Sequence, residues 1–243
     1  MKRPNGLDRD DALLQIQLLG APTVLVQDEP VRPETSKTMA LLAYLSMEDR
    51  VHRRDTLADL FWGEKDDARA ARNLRRAFWN LRRVLNPGGD GDCPYLNVNR
   101  HEAAFNRESA YWLDADSFER LADPSAAEAP AEMQARLERA ISLYRGDFLA
   151  GLNVDGSPTF ERWVLGQRAY LKEQAFQAFH RLSELYAGRG AYAEAVDTLQ
   201  VYLTVAPWRE ESHRQLMLML ALQGERERAL RQYDFCEEVL QRE

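Results

Sequence analysis

A period of 34 residues runs through the C-terminal part of this chain. Gly190 and Gly224 are 34 apart, as are Ala195 and Ala229, Leu199 and Tyr233, and Tyr202 and Cys236. A repeat of that length holds one pair of helices. Each Gly falls in the turn between two helices, each Ala where two helices cross closely, and Pro207 closes the first unit. A single unit of this kind cannot bury its apolar face, so units stack on one another. The pattern makes this part all-α. It also makes Phe176, Phe179, Tyr186, Tyr192 and Tyr202 core residues first and ligand contacts second.

Helical patterning begins before the repeat. RLERAISLYRGDFLAGL carries Leu137, Ile141 and Tyr144 on one stripe, and Ser157-Pro158 starts a long helix. Residues 122–130, ADPSAAEAP, form a small-residue connection between helices. The front of the chain reads differently. LLQIQLLG (13–20) alternates apolar and polar residues and predicts a strand; PTVLVQ (22–27) predicts a second. A turn at Asp28-Glu29 leads to a third at residues 30–32, completing a small antiparallel sheet. Ser36 is the expected N-cap of the helix KTMALLAYLSM, with Leu41, Leu42 and Leu45 inward. A second helix starts near Arg53, burying Leu57, Leu60 and Phe61.

After a polar loop at residues 63–67 comes ARAARNLRRAFWNLRRVL, with six arginines and no acid in a chain of net charge −7. Ala71, Leu74, Phe78, Leu81 and Leu85 recur at spacings of 3 and 4, one apolar helical stripe. At about 100° per residue, Arg69, Arg72, Asn73, Arg76, Asn80 and Arg83 turn away from it, with Arg75 and Arg82 on its shoulder. Such a helix suits the DNA major groove. Arg grips guanine O6/N7 in bidentate fashion, Asn does the same for adenine N6/N7, and any Arg neutralises a phosphate. Read without context, the same face could be a solvated basic surface paired with acidic neighbours. Trp79, at the flank, is expected to pack against the wing or a neighbouring helix.

NPGGDGD (86–92) ends that helix with turn chemistry. Asp90 and Asp92 lack the other oxygen ligands of a calcium loop. YLNVN and AFN then flank the turn RHEA as a β-hairpin, with Arg100 and His101 at its tip. Sheet, three helices and hairpin make a winged helix, whose third helix enters the groove while the hairpin reaches backbone. Arg53, Arg54, Arg75 and Arg100 are its candidate backbone and wing contacts.

LLAYLSMEDRVHRRDTLADLFWGEKDDARAARNLRRAFWNLRRVL closely resembles the DNA-binding domain of the SARP family, antibiotic regulatory activators with an OmpR-type winged helix. YLNVNRHEAAFN and YWLDADSFERL are similar to that family's wing and its junction with the next domain. YRGDFLAGL, SPTFERWV, AYAEAVDTLQVYLTVAPWREESHRQLM and LRQYDFCEEVL resemble its bacterial transcriptional activation domain, BTAD, with tetratricopeptide-like repeats. The resemblance implies a DNA-reading third helix, two protomers on direct repeats near a promoter, and RNA polymerase contacted by the protein. By analogy with winged-helix activators, residues 63–67 are a candidate polymerase contact; a plain surface turn is the alternative. Members of the family usually continue past the last helix, which makes this chain a fragment or a minimal member.

The expected organisation is therefore a tail at residues 1–12, a winged-helix domain at 13–114 and a BTAD at 115–243, a mainly α chain with an α+β front. The front half is near neutral, net −1 over residues 1–115, and the remainder carries −6, so the helical domain adds no DNA surface. The four histidines are scattered, and there is no HExxH, CxxC, phosphate loop or GxSxG elbow. No catalytic site, metal or cofactor is expected. His213 is read as structural. Two cysteines, 93 and 236, and a charged N-terminus without an apolar run point to a cytoplasmic protein with no membrane partner. The reading is a sequence-specific transcriptional regulator, an activator. Its rival is a tetratricopeptide adaptor whose winged helix is only a scaffold.

Overall fold

A computed structural model describes residue 9 and residues 12–86, 93–124 and 129–241. The expected tail apart from residues 9 and 12, all but the first residue of the turn at 86–92 with Asp90 and Asp92, and residues 125–128 of the small-residue connection lie outside the described residues. By compactness the chain forms two units, Met1–Ser117 with Gly146–Ala169, and Phe118–Arg145 with Tyr170–Glu243.

The first unit opens with β1 (Leu14–Gln17), β2 (Thr23–Val26) and β3 (Glu29–Val31). The turn between β2 and β3 falls on Gln27 and Asp28, one residue earlier than expected, both with positive φ (52° and 63°). Two left-handed residues match the twist of a two-residue hairpin. The sheet is not purely antiparallel. Its order is β3-β2-β1-β7, and β7 (Tyr111–Leu113) lies parallel to β1. Sandwiched between β2 and β7, β1 is buried along its whole length, Gln15 and Gln17 included. Gln15 keeps its amide paired by donating to Asp28 Oδ1 at 2.9 Å. The Asp114 carboxylate, 1% exposed, accepts from Leu18 N at 2.7 Å and Leu19 N at 3.0 Å, tying the end of β1 to the residue after β7.

Helix α1 (Ser36–Met47) is buried on every side from Thr38 onward, as a central core helix must be apolar all round. Its cap is Thr35, not Ser36: Thr35 Oγ1 accepts from Thr38 N at 3.1 Å. Helix α2 (Arg54–Trp62) stops at Gly63, where a Cβ would come within 2.6 Å of the Asp59 carbonyl. Helix α3 (Asp67–Leu85) follows, capped by Asp66, whose Oδ1 accepts from Arg69 N. The hairpin forms from β5 (Leu96–Val98) and β6 (Glu102–Phe105), and a two-residue β4 (His52–Arg53) adds to β6. Strand, helix and hairpin order is that of a winged helix.

Residues 146–169 complete this unit. Leu149 N donates to Leu18 O at 2.8 Å, and Phe148 bridges Leu19. Trp163 stacks with Phe160, meets Tyr44 edge-on at 4.9 Å, and donates its indole N–H to Glu48 Oε1 at 2.8 Å. Arg168 caps the carbonyls of Phe148 and Leu149.

The second unit is helical: α4 (Asp114–Ala122, from Phe118), α5 (Pro130–Leu143), α6 (Pro158–Gly188, from Tyr170), α7 (Tyr192–Val205), α8 (Glu210–Leu222) and α9 (Arg226–Leu240). Ala195, Val196, Leu199, Leu203, Leu216, Met219 and Leu220 form a buried cluster against which Tyr186, Tyr192 and Ala229 pack. The repeat glycines Gly190 and Gly224 adopt φ of 78° and 88°, the left-handed end of a helix that a side chain disfavours. His213 is fully buried. Its Nε2 donates to Pro207 O and its Nδ1 accepts from Gln232, so it is held as a structural residue. No helix among the described residues is long and apolar enough to cross a membrane.

Candidate nucleic-acid interface

Helix α3 is the candidate reading element, and its sequence explains why it is half in and half out. Ala70, Leu74, Ala77, Phe78, Leu81 and Leu85 are buried. The buried stripe is rotated slightly from the expected one: Ala71 is exposed, and Ala70 and Ala77 take the inner positions. Arg69, Arg72, Arg75, Arg76 and Arg83 are exposed and Asn73 is half-buried. From Arg69 to Arg83 the basic stripe covers about 21 Å at 1.5 Å per residue.

Asn80 departs from expectation. It is 1% exposed, and its Oδ1 accepts the backbone N–H of Glu34 at 3.0 Å. Its amide is turned inward to the loop before α1 and is not free for adenine. The slight rotation of the helix, which buries Ala77 beside it, is the physical reason.

Trp79 departs in the other direction. It is 55% exposed rather than packed under the wing, and the Arg83 guanidinium lies 4.7 Å from its ring centroid. Its spacing would have identified it, because Trp79 is three or four residues from Arg75, Arg76, Arg82 and Arg83 and so sits amid the basic face.

The exposed arginines are not all free. Arg69 Nε pairs with its own cap, Asp66, at 3.3 Å. Arg76 and Arg83 each place Nη2 3.4 Å from a different oxygen of Glu34. Glu34 lies in the loop between β3 and α1, and sequence reasoning did not single it out.

The wing arginines separate into two kinds. Arg54 is half-buried; its backbone N–H donates to His101 O and its Nη1 to Asn99 O, both at 2.8 Å, and its guanidinium covers Phe78. Burial and the neighbouring Arg75 and Arg82 charges push its pKa down. Arg82 similarly donates to Val98 O at 3.3 Å. These two hold the hairpin to α3. Arg100, at the hairpin turn, and Arg53, ahead of α2, are exposed. Arg53 forms a two-bond pair with Asp55, at 3.1 and 2.6 Å, and that guanidinium draws the Asp55 carboxyl down to about 2. The hairpin turn itself is rigid, since Asn99 Oδ1 accepts from both His101 N and Glu102 N at 2.8 Å. Arg100, Arg75 and Arg54 border one open cavity of about 600 Å³ between the hairpin, α2 and α3.

In residues 63–67, Glu64 pairs with Lys37 at 3.1 Å and Asp66 caps α3, so the loop is structured from both ends. Among the described residues no His/Cys/Asp/Glu group has the arrangement of a metal site.

Residues 113–243 match the family of the bacterial transcriptional activator domain. The chain is 28% identical over 231 residues to the regulatory protein AfsR of Streptomyces coelicolor, a match covering 93% of this chain and 22% of that protein. A solved structure of Mycobacterium tuberculosis EmbR in complex with a low-affinity phosphopeptide has the same fold, with a TM-score of 0.70 at 23% identity. That likeness covers 94% of this chain and 60% of the solved one. This chain thus spans about a fifth of the length of AfsR and three-fifths of the solved EmbR chain.

Proposed function

The chain belongs to the family of the bacterial transcriptional activator domain, and from that premise we propose that it is a regulator of transcription that reads promoter DNA through α3. The observation that carries the proposal is the face of α3, where Arg72, Arg75, Arg76 and Arg83 surround an exposed tryptophan along a helix anchored on its other side by Leu74, Phe78 and Leu81. Arg side chains supply bidentate contacts to guanine and charge for phosphate, and an apolar group such as the Trp79 ring matches a thymine methyl. Asn73, half-exposed on the same helix, is the remaining amide available for adenine. Arg53 and Arg100 are assigned to backbone phosphates, and Arg69, at the end of the stripe, to the same role.

The finer picture is a homodimer on direct repeats in the cytoplasm, with residues 63–67 meeting RNA polymerase. It is supported by the resemblance of both domains to SARP-type activators. The winged helix of residues 13–114 makes the DNA contact, and residues 115–243, net −6 from residue 116 onward, serve dimerisation or recruitment.

The test is fluorescence anisotropy on duplexes tiled across promoter DNA at several salt concentrations, with wild type and Arg76→Ala. A preferred duplex, affinity falling steeply with salt, and a preference weakened by about 1–3 kcal/mol in the variant are expected. Weak, salt-independent binding to every duplex, identical in the variant, would favour the adaptor reading instead.

A further inference from the structure

Glu34 is the acid that meets both Arg76 and Arg83 on the reading face of α3. Its backbone is fixed by Asn80, which holds the Glu34 N–H from the buried side of the helix. Its carboxylate reaches out to two arginines about two helical turns apart, Oε2 to Arg76 and Oε1 to Arg83, each at 3.4 Å. The two arginine side chains are 77% and 62% exposed, so the carboxylate lies where an incoming phosphate would lie. Arg83 is bracketed, with Glu34 at its Nη2 and the Trp79 ring beneath its Cζ. A cavity of about 280 Å³ adjoins the pair, lined in part by Glu34, Thr35, Thr38, Asn73 and Arg76. The carboxylate therefore has room to leave the arginines while its backbone stays on Asn80.

We propose that Glu34 is a specificity-determining residue that occupies Arg76 and Arg83 until a duplex offers more than phosphate. The proposal rests on the DNA-reading role of α3. Any duplex offers phosphate oxygens, but these must compete with a carboxylate already in place. A duplex that also presents the right base edges gains contacts that Glu34 cannot mimic, and only then is displacement favourable. Exposed ion pairs of this geometry are weak. Glu34 therefore tunes discrimination without blocking binding. The device works by raising the threshold for non-specific capture, the part of the affinity that depends most on phosphate and salt.

The experiment compares wild type, Glu34→Gln and Glu34→Asp in the full 243-residue chain, on the preferred duplex and on a scrambled one, across a salt series. Glu34→Gln removes the charge and keeps the length. Glu34→Asp keeps the charge but withdraws the carboxylate by one methylene, beyond the reach of both arginines together. Both variants are expected to bind the scrambled duplex roughly three- to tenfold tighter, with smaller gains on the preferred duplex. Their salt slope on the scrambled duplex should steepen by about one to two units, as one or two guanidinia are freed for phosphate. Wild-type behaviour in both variants would overturn the proposal. So would a Glu34→Asp variant equal to wild type beside a tighter Glu34→Gln, because the carboxylate would then act only through its long-range field.

A DNA-free readout separates this from failure of the DNA reading. Guanidinium rotation of Arg76 and Arg83, followed by NMR, should be slower in wild type than in either variant. No change there overturns the tether, whatever duplexes do. Failure of every protein to bind any duplex, with the rotation difference intact, would instead remove the DNA-reading role.

Discussion

Asn80 Oδ1 accepts the backbone N–H of Glu34 at 3.0 Å, joining the interior side of α3 to the loop that leads into α1. One hydrogen bond thus sets the position of the residue that carries a carboxylate to both Arg76 and Arg83. It also gives the inward-turned amide of a basic helix its role, because Asn80 Oδ1 closes a part-buried loop N–H.

Asn80→Ala is therefore expected to lower stability by about 1–3 kcal/mol, because it strands a backbone donor as well as opening a small void. The check is a denaturant midpoint at unchanged m-value. If Asn80→Ala instead left stability untouched and removed an adenine preference from the DNA site, the side chain would have to turn outward in the complex.

Trp79→Ala should behave in the opposite way. The ring is 55% exposed, so folding stability should change by less than about 0.5 kcal/mol. Affinity for the preferred duplex should fall by roughly 1 kcal/mol or more, with little change on a scrambled duplex. Trp79→Phe, which retains an apolar ring, should recover part of the loss.

Arg53 and Asp55 give a pH signature. The Arg53 guanidinium, and after it the Thr56 N–H, hold the Asp55 carboxyl at about 2 against an ordinary 3.8. A depressed folded-state pKa contributes stability that is fully present above the unfolded value near 3.8 and is lost as pH falls through about 2. Both side chains are exposed, so the energetic effect is small. An NMR titration of Asp55 should report the low value, and Arg53→Gln should return it towards 3.8. An Asp55 that titrates normally in wild type would show the pair to be open in solution.

Asp114→Ala should be among the more damaging single changes in the first unit. Its carboxylate, buried to 1% exposure, is the acceptor for both Leu18 N and Leu19 N. Losing two charge-assisted bonds and leaving two donors unpaired should cost about 2–4 kcal/mol. The thermal midpoint of the intact chain measures it.

Much of this fold was legible because it is written at short range. The arginine spacing of α3, the hairpin with its tip at Arg100, and the 34-residue period ending on Gly190 and Gly224 depend on residues a few positions apart. Helical and strand periodicities report such relations directly. The misplacements were also short-range: Thr35 rather than Ser36 caps α1, and Gln27-Asp28 rather than Asp28-Glu29 makes the turn. Neighbouring residues of similar chemistry compete for one role, and loop geometry chooses between them.

The sequence by itself determined that a one-sided, arginine-rich helix would follow two apolar ones, and that a helical repeat would occupy the C-terminal part. Only the tertiary structure decided what lies across from what. The parallel pairing of Tyr111–Leu113 with Leu14–Gln17 brings together strands nearly a hundred residues apart, and the docking of Trp163 on Tyr44 and Glu48 brings together helical segments still further apart in the chain. The same is true of the two side chains that changed places at the reading face, Asn80 turning in and Trp79 turning out. Periodicity places a residue on a helix to within a fraction of a turn. Whether a residue at the edge of the stripe is buried is settled by the partner that meets it there, and here that partner is a loop 46 residues away, holding Glu34.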